Sequence, residues 1–394
     1  ISSAEEAGQL APAGSDMWGE AQRLAATALI DSGKSREGDA RAAWAAGPDF
    51  WDNLSQPVRA TLLAARVRGL VDMNLPQQAL EVADRALDEA RASGDVGATT
   101  RALDARMYAL MHMGDMSKAI AASVQLIEAA ETTGDTVLAT RGRINTSSVL
   151  NQLGMYEEAQ TMLERALADT RNRRMRILEA FTLHNLGMSQ ARLGRLDEGI
   201  TFQRQAARIA DECGAARLRI NARVYEAILL VWRGGPGDLG LALSTARWLE
   251  GEARAHPGLY TIARFTLARV QLARRDLAPA LDAARDAATR LEHGPVEEWE
   301  EGIRLTLVEA LLESGHDKEA DRALDRAFNA LVDRARGITI VDHREAFLAR
   351  NDEARQLVDL AKARLGRALP PLSGPLPPRP SGGKPPPPPA GTRS

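Results

Sequence analysis

A repeating pattern begins with RALDARMYALMHMGDMSKAI (residues 101–120) and continues to Gly214. Turn residues recur every 40 positions in two series offset by 20: Asn74, Gly114, Gly154, Gly194 and Gly234, and Gly94, Gly134 and Gly214. Arg174 stands where the second series lacks a glycine. Such spacing between apolar-periodic stretches indicates stacked helical hairpins, because one hairpin is too small to bury its own apolar face.

Composition restricts the classes of partner. The 394 residues carry a net charge of −3, with 50 basic and 53 acidic side chains interspersed, so we expect no nucleic-acid and no membrane partner. No apolar run is long enough for a membrane span and no secretory signal is present, which predicts a cytoplasmic location. The single Cys213 excludes an intrachain disulfide. Because the chain begins at Ile1, we expect a fragment of a longer protein or a processed product.

Four segments follow from the pattern. Residues 1–56 predict an irregular, mobile lead (1–15) and a capping hairpin, and residues 57–335 predict a solenoid of about seven repeats, the last beginning at Val296. Residues 336–369 predict one C-terminal capping helix, from His343 to Leu365. Residues 370–394 contain eleven prolines and no acid, which predicts a disordered polyproline II tail acting as a spacer or a proline-motif ligand.

One segment carries a family resemblance. NLGMSQARLGRLDEGI (residues 185–200), followed by Ala206, resembles a tetratricopeptide repeat, in which Leu-Gly lies midway along the first helix and small residues occupy two sites of the second. The first small site recurs as Ala79, Ala119, Ala159, Gly199, Ala280 and Ala320. The 40-residue period exceeds the family's usual 34 and is similar to the longer-period arms of MalT-like regulators and signalling ATPases. HEAT and armadillo repeats also run near this period, but fit the paired small sites less well.

The resemblance implies an all-α, right-handed α-solenoid of antiparallel helix hairpins with a concave groove lined by the first helix of each hairpin. The implied partner-binding residues are Arg101, Tyr108, Arg141, Asn145, Ser148, Asn185, Met188 and Tyr225, together with His184 beside them. The amides of Asn145 and Asn185 could hold the backbone of an extended peptide, and Arg101 and Arg141 would suit a carboxylate. The alternative is that these are solvated polar side chains without a specific role.

The sequence offers little for catalysis. The six histidines are scattered, without an i, i+4 pair or a cysteine partner, so we expect no metal site. Gly33-Lys34-Ser35 lacks the glycine five residues earlier that a phosphate loop requires, and no strand pattern precedes it. Cys213 has no evident base. We therefore expect no enzyme and no cofactor.

The leading hypothesis is a non-catalytic protein–protein interaction module. It would be the regulatory or scaffold arm of a bacterial signalling protein that binds a protein or peptide partner, with an ATPase or kinase domain N-terminal to it in the same polypeptide as one possible partner. The alternative is the sensor region of a larger ATPase, Ser/Thr kinase or transcriptional regulator that binds a small inducer. A peptide binder should show an open polar groove, and an inducer site a closed apolar pocket. A third option is a scaffold that oligomerises through an uncapped end repeat.

Overall fold

A computed structural model describes residues 2–73, 75–254, 256–294, 296 and 298–372. These residues form twenty α-helices and no strand, which confirms the predicted all-α solenoid. The proline-rich tail beyond Leu372 and the turn residue Asn74 lie outside the described residues. No helix in the described ranges has the length and apolarity needed to cross a membrane.

The helices follow one another along the whole described chain. Their bounds are α1 Ser2–Leu10, α2 Asp16–Asp31, α3 Ser35–Ala45, α4 Pro48–Trp51, α5 Gln56–Asp72, α6 Pro76–Ser93, α7 Val96–Met113, α8 Met116–Thr133, α9 Thr136–Gln152, α10 Tyr156–Asn172, α11 Arg176–Arg192, α12 Leu196–Glu212, α13 Ala216–Arg233, α14 Asp238–Glu252, α15 Pro257–Ala273, α16 Leu277–His293, α17 Glu300–Glu313, α18 Asp317–Gly337, α19 Val341–Arg350 and α20 Asp352–Leu365.

The turns between the helices explain the glycine spacing. Glycines of both series have positive φ, for example Gly114 at 77° and Gly194 at 86°, a backbone region that residues with a Cβ adopt at a cost. Where an aspartate follows the glycine, its carboxylate caps the next helix. Asp135, for example, accepts a hydrogen bond from the backbone N–H of Leu138 at 3.0 Å. Arg174, at the position that lacks a glycine, has φ 55° and makes the same turn.

Seven hairpins, α5–α6 to α17–α18, stack into two layers. Each helix packs against the next along the chain, and successive first helices (α5, α7, α9, α11, α13, α15 and α17) also pack on one another. Successive second helices are held further apart, which makes the layer of first helices the inner, concave one. Small residues at the helix contacts, such as Ala79 and Ala159, are fully buried and allow the close approach of the backbones.

Three elements differ from the sequence prediction. The N-terminal lead, expected to be mobile, contains helix α1, which packs against α2. The seventh hairpin begins at Glu300 rather than Val296, because Trp299 at φ 71° turns the chain into α17. The predicted single capping helix is two, α19 and α20, separated at Asn351. This residue is extended (ψ 114°) and its side chain accepts a hydrogen bond from Ala354 N at 3.0 Å, so it starts a new helix.

The C-terminal segment, residues 338–372, returns to repeats much earlier in the chain. Ile340 N donates to Ser117 Oγ at 3.3 Å, and Asn351 Nδ2 donates to the carbonyl of Gln152 at 3.0 Å. Gly154 faces Arg350 so closely that a Cβ on it would lie 2.8 Å from the Arg350 Cβ. The segment therefore bridges the inner surface from the seventh repeat to the second and third, and this closure positions the site.

Candidate partner-binding cleft

The central cleft lies where α9, α11 and α13 face the start of α17 and the start of α20. It is open to solvent and has a volume of about 50 Å³. Side chains from seven helices, the loop before α17 and Asn351 line it: Ser148, Asn151, Gln152, Tyr156, Asn185, Met188, Arg192, Tyr225, Glu298, Trp299, Glu301, Arg334, Asn351 and Glu353. Most of them are polar or charged, so the cleft offers directional contacts rather than a purely apolar surface.

Arg192 of α11 is the most buried charge in this lining, with 5% of its side chain exposed. Its Nη2 lies 2.7 Å from both carboxylate oxygens of Glu353, and its Nη1 lies 2.9 Å from Asp352 Oδ2. Its guanidinium also lies over the ring of Trp232, 4.3 Å from the centroid. Burial acts to lower the pKa of Arg192, but Glu353 and the neighbouring acids raise it by more, so the group stays charged. Arg192 thus ties the C-terminal segment to the fourth repeat.

A second ion pair closes the opposite side of the cleft. Nη1 of Arg334, on α18, lies 2.9 Å from Glu301 Oε2, and Nη2 donates a hydrogen bond to Gln152 Oε1 at 3.1 Å. Burial raises the pKa of the Glu301 carboxyl, although the charge of Arg334 opposes the shift. Beside it Tyr156 OH donates to the Arg350 carbonyl at 3.5 Å, and burial raises the pKa of Tyr156 to about 12.

Glu298, in the loop before α17, is held by hydroxyl groups. Tyr225 OH donates to one carboxylate oxygen of Glu298 and Ser148 Oγ donates to the other at 3.4 Å. Burial, and then the charge of Glu298, raises the pKa of Tyr225 well above its ordinary value. No lysine or arginine of the described residues forms an ion pair with Glu298. It is half-buried, and it is the only carboxylate in the described cleft lining without such a pair.

Aromatic side chains form one wall. Trp299 packs against Tyr225, Phe265 and Trp232, with ring centroids 5.1, 5.4 and 6.4 Å away. The indole Nε1 of Trp299 and the Nε of Arg192 are buried without a hydrogen-bond acceptor in the described part of the chain. A second cleft of about 400 Å³ adjoins the first and shares Arg192, Trp299 and Glu353 with it. The wall thus combines apolar faces with unused N–H donors.

The residues predicted for the groove fall into two groups. Ser148, Asn185, Met188 and Tyr225 line the central cleft. The others do not line it: Arg101 and Tyr108 on α7, Arg141 and Asn145 on α9, and His184 on α11. Arg101 is exposed and the Arg141 side chain is 42% exposed, so this part of the inner surface is open to solvent, and Arg141 pairs there with Asp104 at 2.8 Å.

His184 requires a correction, because the structure buries it. Only 5% of it is exposed, its Nδ1 lies 2.8 Å from Gln203 Oε1, and its ring meets Tyr225 edge-on at 4.7 Å. Burial lowers the pKa of His184, although the charge of Glu298 acts in the opposite direction. His184 therefore supports Tyr225 from behind and does not line the cleft.

The amide of Asn185 is engaged within the solenoid. Its side-chain Nδ2 donates to the backbone carbonyl of Ile144 at 3.1 Å, and the backbone carbonyl of Asn185 accepts a hydrogen bond from Asn151 Nδ2 at 3.1 Å. Ser189 Oγ completes the set by donating to Asn151 Oδ1 at 2.8 Å. This network joins α9 to α11, so one donor of Asn185 serves the packing of two repeats.

Sequence reasoning missed all five charged residues of the cleft lining, namely Arg192, Glu298, Glu301, Arg334 and Glu353. Arg192 and Arg334 lie near the ends of their helices, and Glu353 lies in the first turn of a helix that was predicted to be continuous. Arg192 and Glu353 are separated by 161 residues, and nothing in a 40-residue repeat pattern relates them. The aspartate and glutamate directly after Asn351 were the available signal, since Asn-Asp-Glu is a common helix start.

Comparison with known proteins supports the fold. Residues 182–213 match the family model of the tetratricopeptide repeat. Among curated proteins, none matches the chain. Three similar solved structures share 13–14% identity with it. A Rap protein complexed with competence and sporulation factor aligns over 89% of this chain and 99% of its own, with a TM-score of 0.61.

The other two structures are sensors by name. The quorum sensor NprR from B. thuringiensis, in its apo form, aligns over 80% of this chain and 87% of its own, with a TM-score of 0.53. A signal-transduction ATPase with numerous domains and a tetratricopeptide repeat sensor, from Pyrococcus horikoshii, aligns over 70% of this chain, with a TM-score of 0.53. The chain spans 42% of that ATPase.

The matched repeat and the stacked hairpins define a tetratricopeptide solenoid. As predicted, the chain has a tetratricopeptide-like solenoid fold and one segment that matches the tetratricopeptide repeat, and its fold is similar to that of a repeat sensor attached to a signalling ATPase.

Proposed function

We propose that this chain is a non-catalytic interaction module that binds an extended segment of a protein or peptide partner in the central cleft, as the cytoplasmic regulatory arm of a signalling system. The observation that supports this proposal is the cleft itself, which is open to solvent and lined by amide, carboxylate, guanidinium and aromatic groups from separate repeats. Such a surface can bind the backbone and side chains of an extended chain without reorganising.

The lining favours a peptide over a small apolar inducer. Ten of the fifteen lining residues are polar or charged and not aromatic, and the cleft is not enclosed. A small inducer would instead require convergent polar groups within a closed apolar pocket. Among similar folds, one is a Rap protein solved in complex with competence and sporulation factor, which supports a bound partner on this architecture.

A blocking variant tests the proposal. Met188 lines the cleft and is half-buried, so Met188→Trp should obstruct it, while Met17→Trp places the same ring at a side chain that is 70% exposed. The probe is an array of synthetic six-residue peptides incubated with the 394-residue chain. Circular dichroism and the thermal midpoint of each variant establish that it is folded.

We expect the unmodified chain and Met17→Trp to bind the same subset of peptides, and Met188→Trp to bind that subset at least tenfold more weakly. Equal binding by folded Met188→Trp, or no peptide bound by the unmodified chain, would contradict the proposal.

A further inference from the structure

We infer that the central cleft binds a positively charged side chain of its partner, with Glu298 as the ion-pair acceptor and the rings of Tyr225 and Trp299 beside it. This inference rests on the proposed function and names the chemistry of the partner. It starts from the charges that line the cleft. Three carboxylates are present, Glu298, Glu301 and Glu353, against two guanidinium groups, Arg192 and Arg334.

Both arginines are already paired. Arg192 contacts Glu353 and Asp352, at 2.7 and 2.9 Å, and Arg334 contacts Glu301 at 2.9 Å. Neither is therefore available to Glu298, and within the described ranges no other cation pairs with it. The cleft thus has one surplus negative charge, and this charge lies on Glu298.

The position of Glu298 is built by three repeats rather than left to a mobile surface side chain. Ser148 of α9 and Tyr225 of α13 each donate a hydroxyl hydrogen bond to it, and Tyr225 is itself held by the buried ring of His184. Each carboxylate oxygen of Glu298 thus accepts one hydroxyl hydrogen bond, and a carboxylate oxygen has room to accept a second one from a partner. A half-buried carboxylate loses part of its hydration, and a cation from the partner would replace that loss.

The aromatic wall suits the same ligand. Trp299 and Tyr225 have ring centroids 5.1 Å apart, and their faces attract cations. The protein already holds a cation against aromatic rings in this region, since the guanidinium of Arg192 lies 4.3 Å from the centroid of Trp232 and 6.0 Å from that of Trp299, with carboxylates at its edge. The indole Nε1 of Trp299, buried without an acceptor among the described residues, can in addition donate to a carbonyl of the partner backbone.

The test uses peptides that differ only in charge. Six-residue peptides with acetylated N-termini carry at one central position arginine, its neutral isostere citrulline, lysine, or acetyl-lysine. A parallel set with free N-termini separates recognition of the side chain from recognition of a terminal amine. Binding to the 394-residue chain is measured by fluorescence anisotropy at low and at physiological salt, since a half-exposed ion pair weakens with ionic strength.

We expect the arginine or lysine peptides to bind at least tenfold more tightly than their neutral counterparts. Glu298→Gln, which keeps the acceptor for Tyr225 but removes the charge, should reduce this ratio to about one. Glu6→Gln is the matched control, because it removes the same charge from an exposed position on α1.

Two failures are distinguishable. If peptides bind in a manner that Met188→Trp abolishes, but charged and neutral peptides bind equally or the preference survives Glu298→Gln, then this inference is wrong and the proposed function stands. If no peptide shows binding sensitive to Met188→Trp, both are overturned. A preference seen only with free N-termini would also overturn the assignment to a side chain.

Discussion

Two parts of the inner surface are held in different ways. The open surface, around Arg101, Tyr108 and Arg141 on α7 and α9, belongs to regular hairpins, and the pair Arg141–Asp104 joins neighbouring repeats. The central cleft is closed by the C-terminal segment, through contacts between residues as far as 226 positions apart. The open surface therefore follows from nearest-neighbour stacking, whereas the cleft exists only because the superhelix returns on itself.

The largest expected effect comes from breaking that closure at its buried charge. Arg192→Met leaves Glu353 without its ion-pair partner, whereas Asp352 keeps Arg355 at 2.9 Å, and removing one member of a buried ion pair costs about 3–5 kcal/mol. Native-state hydrogen exchange should show this loss as faster exchange at the amides of α20, while α7 and α8 keep their protection.

Two further variants serve as controls for Arg192. Arg208→Met removes an arginine that is 71% exposed and should change stability by no more than about 0.5 kcal/mol. Replacing Glu353 by Met in the Arg192→Met background should recover part of the loss, because no unpaired carboxylate remains at that position. If Arg192→Met lowers the free energy of unfolding by no more than Arg208→Met does, the buried Arg192–Glu353 pair does not hold the C-terminal segment in place.

The second prediction compares two glycines of the same series. A Cβ at Gly194 meets nothing within 4 Å, whereas at Gly154 it would lie 2.8 Å from Arg350 Cβ and 2.8 Å from Asn351 N. Both have positive φ, at 86° and 79°, so alanine costs about 1 kcal/mol at each from backbone strain alone.

Gly154→Ala should cost at least about 1 kcal/mol more than Gly194→Ala, because the new methyl group also displaces the start of α20. The measurement is the free energy of unfolding of each variant, with hydrogen exchange to locate the change. Equal losses would show that the C-terminal segment yields easily at this contact.

The sequence predicts the regular hairpins of the open surface more completely than it predicts the central cleft. The turn series and the small residues at the second-helix sites predicted the hairpins and their stacking, because these depend on local spacing. The tetratricopeptide resemblance, mapped onto that spacing, named four residues that line the cleft. Glu298 and Trp299 were not foreseen, since they lie in a loop where the repeat pattern predicts a helix beginning at Val296. Arg192 and Glu353 depend on the superhelical return, which is set by many small rotations between repeats rather than by any motif. His184 was misplaced because adjacent positions on a helix face different directions.

The third prediction concerns pH and the buried side of the cleft. Burial lowers the pKa of His184 below the ordinary 6.5, so the folded state binds its proton less readily than the unfolded state. The stability from neutral His184 is fully present above about pH 6.5. It is lost as pH falls from there towards the folded-state pKa, at no more than about 1.4 kcal/mol per pH unit for one proton.

His184→Gln should remove this part of the pH dependence. The comparison is the free energy of unfolding of the variant and the unmodified chain, measured between pH 5 and 8, with the exposed His293→Gln as the matched substitution. The groups that face the ring are Gln203, Tyr225 and Glu298, and none of them changes in the variant. Parallel curves for the unmodified chain and His184→Gln would mean that the ring is not held neutral by burial.

The fourth prediction, with the smallest expected effect, concerns the regular hairpins. The same substitution should change the stability in opposite directions at two adjacent residues. Arg174 has φ 55° at the turn where the glycine series is interrupted, and Arg173 before it has φ −101°. Both side chains are exposed, so backbone conformation dominates the outcome of substitution.

Arg174→Gly removes the strain of a left-handed residue and should stabilise the chain by about 0.5 kcal/mol after the entropy cost of glycine. Arg173→Gly has only the entropy cost and should destabilise it by about 0.5–1 kcal/mol. Thermal unfolding of the two variants side by side measures the difference. If both substitutions destabilise the chain, then contacts of the Arg174 side chain stabilise this turn by more than the left-handed backbone of Arg174 costs.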